Sequence, residues 1–367
     1  MERKFDPKVG GWPMPWPSDM HTHYREGEML WTVVPEAARH YRYATAMPNL
    51  GKNRIRTPEQ AKEYRSVILR AGRKVNSHFD VNVPLYLEPD TDPKVVRQGF
   101  EDGAWIAAKL YPKGGTTQSA EGVDFNELER LDPVFGAMRE LGMKLLIHAE
   151  PVFTRSGREI DVFDREPLAL PYVEDLIRRH RGIKVVFEHV SSGRTVPILE
   201  QWARDGHTIG ATVAPQYLVW SRNSLFRGGM NPVCYSIPVL KREQDREALC
   251  KFVVESGVPF LGTDSAPHPA GAKSRYEKCP GGVFSNPTAL FTYFRVFKES
   301  GRADWFDRFV DFACFRGPHF YGLPVDERDA IAIVEDPWRV PETYGDGPFT
   351  VIPMHAGEEM KCRVKYL

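Results

Sequence analysis

The pair His21 and His23 is the first feature of the sequence that could do chemistry. Successive side chains of a β-strand point to opposite faces, so histidines two residues apart place both imidazoles on the same face. Such a pair offers two nitrogen ligands to a metal ion, and Arg25 adds a fixed cation beside them. Because a lone His-x-His motif also arises by chance, its interpretation depends on what the remaining chain supplies.

Further side chains that could bind a metal follow four other apolar runs. They are Lys109, His148, His189 and Asp264. Taken singly, each has a simpler interpretation: a hydrogen-bonded core histidine, a lysine that reaches solvent at a strand end, or an aspartate that caps a turn. Five strand ends that all carry such side chains are much harder to explain in that way. The sequence therefore predicts that they meet in one site.

The elements that would position these residues are short apolar strands alternating with helices. After the His-x-His strand, further strands are predicted over residues 43–47, 81–87, 105–110, 144–147, 183–187, 208–213 and 259–262. The predicted helices cover residues 35–40, 57–73, 92–100, 126–141, 172–180, 196–204, 243–256, 287–298 and 305–315. Eight apolar strands covered by helices favour an α/β fold, the closed (β/α)8 barrel of the TIM type. In that barrel the C-terminal strand ends converge on one mouth, where catalytic residues collect.

The domain prediction follows from the same element order. We expect residues 1–367 to form a single barrel domain, with a lead-in over residues 1–17 and a C-terminal extension from about 336 to 367. The segment from Asp336 is polar, rich in proline and too short for a domain of its own.

Composition excludes several classes of function. Lys plus Arg and Asp plus Glu are both 49, so no overall charge favours nucleic acid or an anionic membrane. We expect no membrane span and no signal peptide, because long apolar runs and an apolar N-terminal region are missing from the sequence. The five cysteines form no Cys-x-x-Cys pair and are typical of reduced thiols in a cytoplasmic protein. Any metal would therefore be held by His, Asp, Glu or Lys.

The number of candidate ligands favours two metal ions. Four imidazoles and one aspartate exceed the three protein ligands of a catalytic zinc. They suit two metals about 3.5–4 Å apart that share a bridging hydroxide. Two divalent cations at that separation also need an anionic bridge, and the remaining strand-end candidate is Lys109, a cation as encoded.

The sequence resembles the dihydroorotases of the class II bacterial type, in the amidohydrolase superfamily. The matching segments occur in the family's order: residues 19–27, 46–49, 108–112 with 116–117, 146–148, 187–189, 214–218, 238–242, 262–268 and 321–324. Each segment is of modest specificity, but together they cover nearly the whole chain and are strongly specific.

The resemblance implies a metal-ligand set of six residues. A first zinc ion would be held by His21, His23 and Asp264, a second by His148 and His189, and N6-carboxylated Lys109 would bridge the two. Asp264 would also act as general acid and base. These roles come from the family pattern and not from spacing.

The resemblance also implies how substrate is bound. Arg25, Asn49 and His268 would bind the substrate's α-carboxylate, and Thr116 and Thr117 would lie on a mobile lid. Two segments depart from the family pattern. Residues 113–115 make the base of the lid glycine-rich. The segment 279–284 differs in length from the corresponding segment of the family, so no main-chain contact with substrate is assigned to it.

The implied activity is that of a dihydroorotase, a zinc-dependent cyclic amide hydrolase. It would interconvert N-carbamoyl-L-aspartate and L-dihydroorotate in pyrimidine biosynthesis. The resemblance further implies a homodimer whose partner is a small-molecule substrate.

Two alternatives remain open at this point. One is a hydantoinase or dihydropyrimidinase-like cyclic amidase. Those relatives usually carry a β-sandwich built from both termini, for which the 20 residues before His21 leave little room. An uncharged ring would also not need the carboxylate anchor that Arg25 offers. The other alternative is a non-catalytic scaffold protein, which the complete set of six ligand positions disfavours.

Overall fold

The computed structural model describes residues 3–275 and 277–367, and the elements below are those of this part of the chain. The strands are β1 (Gly11–Met14), β2 (Ser18–Thr22), β3 (Tyr43–Ala46), β4 (Asp80–Asn82), β5 (Leu85–Tyr86), β6 (Ala107–Leu110), β7 (Lys144–Ile147), β8 (Lys184–Phe187), β9 (Ile209–Thr212), β10 (Pro259–Phe260), β11 (Ile331–Arg339) and β12 (Glu359–Tyr366).

The helices follow the strands of the barrel in alternation. They are α1 (Gly27–Ala38), α2 (Pro58–Gly72), α3 (Pro93–Glu101), α4 (Asp132–Leu141), α5 (Arg165–Arg179), α6 (Val196–Arg204), α7 (Gln216–Val219), α8 (Glu243–Glu255), α9 (Ala270–Lys273), α10 (Ala289–Lys298), α11 (Trp305–Val310) and α12 (Arg316–Tyr321). Within the described residues, none of these helices is both long and apolar enough to cross a membrane.

The strands β2 to β10 form a closed barrel. The strands β2, β3 and β4 pair in parallel, and β5 to β10 pair in parallel in chain order. The ring closes next to β10, where the Met20 N–H donates to the Leu261 carbonyl at 3.0 Å and the Asp264 N–H donates to the His21 carbonyl at 2.8 Å. The predicted TIM-type (β/α)8 fold is therefore confirmed.

The third barrel strand is split at Pro84. A single strand over residues 81–87 is predicted, but the structure has β4 and β5 on either side of Val83 and Pro84. β4 pairs with β3 and β5 pairs with β6, so each half bonds a different neighbour. Because proline has no N–H to donate, it interrupts a strand at this position.

Two predicted helix starts are confirmed, at Thr57 and Asp92, whereas the helices predicted from residues 35, 126 and 172 begin at Gly27, Asp132 and Arg165. The Thr57 hydroxyl accepts from the Gln60 N–H, and Asp92 accepts from the Lys94 N–H at 2.8 Å. The predicted helix over residues 35–40 instead begins at Gly27, with Pro35 inside it. Burial of an apolar face, including Leu30, outweighs the local preference of proline for a first turn.

Both termini contribute to a separate three-stranded antiparallel sheet, β1-β11-β12. The predicted start of the C-terminal extension, at about Asp336, lies inside β11. The pairing of β11 with β12 shifts register between Glu335 and Trp338, so Pro337 sits at an irregularity where a missing N–H is tolerated. The proline and the polar composition are what made this strand resemble a loop.

A layer of apolar side chains closes the bottom of the barrel. We call it the barrel floor, and its buried members are Met20, Met47, Ala107, Leu146, Val186, Phe260 and Tyr321. Strand side chains alternate between faces, so residues two positions further along point in the same direction. In β6 and β7 the side chains two positions after the floor, Lys109 and His148, therefore form the next layer, nearer the mouth.

Candidate active site

His21, His23 and Asp264 form one compact group at the mouth. His21 Nε2 lies 3.4 Å and His23 Nε2 lies 3.2 Å from Asp264 Oδ1. One ligand atom from each of the three residues lies within 4.8 Å of the others, and all three side chains are buried. β2 carries His21, with His23 directly after it, and Asp264 follows β10, so barrel closure brings the group together.

His148 and His189 lie beside this group. They follow β7 and β8, which are neighbours in the barrel, and their ring centroids are 4.4 Å apart. The His189 ring centroid is also 5.1 Å from that of His21. The four predicted histidines are therefore gathered in one buried cluster.

Lys109 lies in β6, with a fully buried side chain. Its Nζ has no hydrogen-bond partner within the described residues. Burial lowers the pKa of Lys109 to about 8, against the attraction of Glu188 and Asp264. The amine is thus much easier to deprotonate than an exposed lysine.

Three of the four histidines have charge states that suit a ligand set, whereas at His21 burial is outweighed by the charge of Glu188 together with hydrogen bonds to Asp264 and Glu188, which raise the pKa. Burial lowers the pKa of His23 to about 4 and also lowers the pKa values of His148 and His189, which favours the neutral imidazole that binds metals. Burial alone would raise the pKa of Asp264, but hydrogen bonds with His21 and His23 hold it well below its ordinary range. Asp264 is therefore a carboxylate.

The same cluster leaves buried polar atoms without partners. Within the described residues, His23 Nδ1, His189 Nδ1 and Lys109 Nζ have none. A buried polar atom without a partner costs about 1–3 kcal/mol, a cost that a metal ion bound at this cluster would remove. Imidazole and carboxylate are ligands that zinc accepts. The donor set present therefore fits a metal centre.

Three of the predicted site residues have left-handed backbones. The φ angles are +59° at Arg25, +40° at His189 and +44° at Asp264. Such conformations cost roughly 1–3 kcal/mol each in residues other than glycine and persist where neighbours enforce them. At His189 the N–H donates to the Thr212 hydroxyl at 2.7 Å. The strand sequence gives no sign of these turns.

Two buried glutamates that orient the histidines escaped the sequence analysis. Glu188 Oε2 lies 2.7 Å from His21 Nδ1 and accepts from the Thr212 hydroxyl at 2.6 Å. Glu150 Oε2 accepts from His148 Nε2 at 3.1 Å. Their positions in the sequence could have identified them, since Glu188 lies two residues after Val186 of the floor and Glu150 lies two residues after His148. Carboxylates bonded to ligand histidines fix the ring orientation and tautomer.

Asp19 is a third buried carboxylate, behind the cluster. It accepts hydrogen bonds from the Thr263 N–H at 2.8 Å and the Thr263 hydroxyl at 2.7 Å, and from Asn286 Nδ2 at 3.1 Å. Burial raises the pKa of Asp19 to about 6 despite these bonds. Asp19 thereby ties β2 to the segment that carries Asp264.

Arg25 and His268 lie together near the buried cluster of histidines and Asp264. Arg25 Nε donates to the Pro267 carbonyl at 2.8 Å, and a terminal nitrogen of Arg25 is 3.0 Å from His268 Nε2. Burial and then the Arg25 charge lower the pKa of His268 to about 2, so this imidazole is neutral. The sequence prediction paired these two residues, and the structure brings them into contact.

The predicted lid contacts the same region. Asn49 Nδ2 donates to the Thr117 carbonyl at 3.2 Å, while Asn49 Oδ1 has no partner within the described chain. The Thr117 hydroxyl donates to the Gly281 carbonyl at 3.4 Å. The Thr116 N–H bonds Ser119 within the loop itself, so the structure brings Thr117, and not Thr116, to Asn49.

Comparisons with known proteins give the family. No protein-family model matches the chain. A dihydroorotase of Alkalilimnicola ehrlichii is 41% identical to it over 351 residues, which is 95% of this chain and 97% of that protein. The chain belongs to the dihydroorotase family. The family and the enzyme class expected from the sequence, a cyclic amide hydrolase, are thus confirmed.

Solved structures agree with membership of the dihydroorotase family. A dihydroorotase from Saccharomyces cerevisiae in complex with 5-fluoroorotic acid superposes with a TM-score of 0.88 at 27% identity, covering 100% of this chain and 99% of that one. An L-hydantoinase (dihydropyrimidinase) from Arthrobacter aurescens superposes with a TM-score of 0.78 at 17% identity, covering 97% and 84%. At that identity, the hydantoinase likeness shows a shared fold alone.

Proposed function

We propose that the protein catalyses the reversible ring closure of N-carbamoyl-L-aspartate to L-dihydroorotate, a step of pyrimidine synthesis. The observation that carries this proposal is the contact between Arg25 and His268 beside the buried group of His21, His23 and Asp264. The first pair suits a carboxylate, and the second group suits a metal that activates an amide. A cyclic amide with a carboxylate matches both.

We propose a centre of two zinc ions per subunit. The ligands would be His21, His23 and Asp264 for one ion, His148 and His189 for the other, and carboxylated Lys109 as the bridge. When bound, the ions would polarise the ring carbonyl and lower the pKa of a water molecule between them. The fully buried Nζ of Lys109 and its lowered pKa support the carboxylation, because only a neutral amine adds to CO₂.

Asp264 moves the proton in this proposal. In hydrolysis its carboxylate accepts a proton from the attacking water and returns it to the leaving amide nitrogen, so one group serves as base and then as acid. The low pKa of Asp264 supports the starting carboxylate form. Ring closure runs through the same transfers in reverse.

The remaining predicted residues would bind the substrate. Arg25 offers a planar pair of donors that suits a carboxylate, and Asn49 and His268 can add single donors. Thr117 would hold the lid over the site through its contact with Asn49, with Thr116 on the same loop. Lid closure would exclude water from the substrate.

We also propose a cytoplasmic homodimer of single-domain subunits spanning residues 1–367, with the lead-in over 1–17 and the extension from about 336. The homodimer rests on the family resemblance, the single domain on the order of the elements, and the location on the spacing of the five cysteines. The hydantoinase-like alternative has no support beyond the shared fold.

Metal analysis combined with turnover of three rings tests the proposal. We expect two zinc ions per chain and turnover of L-dihydroorotate well above that of dihydrouracil and hydantoin, because neither of the latter carries the carboxylate that Arg25 would bind. Preferred turnover of hydantoin would support the alternative amidase. Absence of both metal and turnover would support a non-catalytic protein.

A further inference from the structure

The segment 279–284 passes directly beside the proposed carboxylate site. The Gly281 carbonyl lies 3.1 Å from His268 Nε2 and accepts from the Thr117 hydroxyl at 3.4 Å. The Gly281 carbonyl therefore contacts both His268, a proposed substrate-binding residue, and the loop proposed as the lid. The position of this segment determines how much room remains for a bound carboxylate.

The segment fits tightly between its neighbours. A Cβ atom added at Gly282, where φ is +150°, would lie 2.4 Å from the Ala266 carbonyl oxygen and 3.0 Å from His268 Cδ2. A Cβ atom added at Gly281 would lie 2.5 Å from Ile237 Cγ1. The main chain is thus packed against His268 on one side and Ile237 on the other. A small displacement of the segment would displace His268 too.

Lys273, the last residue of α9, holds this segment from behind. Its side chain is buried, and Nζ donates to three carbonyls: those of Tyr235 at 2.9 Å, Pro280 at 3.1 Å and Gly282 at 2.9 Å. An ammonium group has three donors, so these contacts use all of them. Within the described residues, the hydrogen bonds of Lys273 Nζ all go to main-chain carbonyls and none goes to a carboxylate.

A buried cation without a carboxylate is unfavourable unless dipoles replace its water. The three carbonyls can do so only if they converge on Nζ. The ammonium of Lys273 therefore fixes the positions of the three carbonyl groups that replace its water. The Tyr235 carbonyl also accepts from the Gly282 N–H at 2.9 Å, which fastens the two segments to each other.

We propose that Lys273 is a positioning residue that fixes the segment 279–284 against His268 and so determines the affinity for carboxylate-bearing rings. This inference rests on the proposed function. Lys273 acts through the main chain and touches no proposed metal ligand. The contacts that hold Asp264, through the His21 carbonyl and through Asp19 with Thr263, are separate from it. Loss of Lys273 should therefore weaken binding more than it slows the chemical step.

The test is Lys273→Met in the full-length protein, with KM and kcat measured on L-dihydroorotate. Methionine keeps most of the apolar stem but cannot donate to the carbonyls. We expect KM to rise by about tenfold or more, kcat to change by less than about threefold, and zinc content to stay at the wild-type value. The matched control is Lys144→Met, a buried lysine at the far end of β7, for which we expect an unchanged KM.

A second variant tests the same inference without touching the lysine. Gly282→Ala should displace the segment through its close contacts and raise KM in the same way. If Lys273→Met does not fold, an unchanged KM in Gly282→Ala overturns the inference. A folded, zinc-loaded Lys273→Met protein with wild-type KM also overturns it. If the wild-type protein itself does not turn over L-dihydroorotate, the proposed function fails, which is a separate result.

Discussion

The two ends of the barrel are built from the same strands and differ in nearly every physical respect. β6 carries Ala107 in the floor and Lys109 at the mouth, and β7 carries Leu146 and then leads into His148. The floor side chains are apolar apart from the Tyr321 hydroxyl, whereas the mouth buries cations, imidazoles and carboxylates with several donors left without partners. Two residues along a strand separate a side chain of the floor from a side chain of the mouth.

A buried lysine lies at each end of the barrel, Lys109 at the mouth and Lys144 at the opposite end. Burial lowers the pKa of Lys109 at the mouth to about 8, and burial with the neighbouring Lys184 does the same for Lys144 at the opposite end. The surroundings differ, because Lys109 feels the opposite charges of Glu188 and Asp264, while Lys144 feels the like charge of Lys184. Burial alone therefore does not make a lysine functional. Its neighbours do.

The largest effect should come from Lys109→Ala. Loss of the proposed bridge should remove the second metal ion and lower turnover by about 10⁴-fold or more, since such ions supply several kcal/mol of transition-state stabilisation. Metal analysis and kcat/KM measure both effects, and short carboxylic acids should restore part of the activity. Lys144→Ala serves as the matched control at the other end. Two metals and full turnover in Lys109→Ala would show that the two lysines are equivalent.

Asp264→Asn should have the next largest effect. The amide keeps an oxygen at the ligand position but cannot accept and return a proton, so turnover should fall by about 10²–10⁴-fold. The measurement is kcat in protein whose zinc content equals that of the wild type. Wild-type kcat in such protein would remove Asp264 from proton transfer and leave it a ligand only.

Arg25→Met tests whether the mouth recognises a carboxylate. Removing one partner of a buried charge pair costs about 2–5 kcal/mol, so kcat/KM for L-dihydroorotate should fall by about 10²–10³-fold with unchanged metal content. The exposed Arg302, which pairs with Asp304, provides the control variant Arg302→Met. Unchanged kinetics in folded, zinc-loaded Arg25→Met would mean that Arg25 only supports its loop.

The smallest effect on turnover should come from the floor. Phe260→Ala removes a buried ring and should lower the free energy of unfolding by about 3–5 kcal/mol, because a cavity is left behind. Turnover per folded molecule should change by less than about threefold. Urea unfolding measures the stability, with the exposed Phe349→Ala as control. A large loss of turnover with unchanged stability would contradict the separation between floor and mouth.

The regular strands explain why much of the site could be predicted. Lys109 and His148 lie on strands whose alternation holds, so their inward direction follows from sequence spacing. At β8 the same alternation selects Glu188, which the sequence analysis did not name. His189, which it did name, reaches the cluster because its backbone turns left-handed. That turn depends on the Thr212 hydroxyl of the neighbouring strand, a contact that no local pattern shows.

Proline lies at three of the differences between the predicted and the observed fold. Pro84 divides a strand that was expected to be continuous, Pro35 lies inside a helix that was expected to begin there, and Pro337 lies within β11. Pro35 and Pro337 were interpreted as marking the boundary of an element, whereas Pro84 was not. Packing of the flanking apolar residues decided whether the element ended, and that depends on distant parts of the chain.

The left-handed backbones of Arg25, His189 and Asp264 have a consequence for how this chain tolerates change. At each position glycine would adopt the observed φ with less strain, so selection for folding alone favours replacing the residue that the proposed chemistry needs. A gene copy released from selection for turnover should lose these side chains early and gain stability as it does so. At these positions the requirements of folding and of catalysis oppose each other.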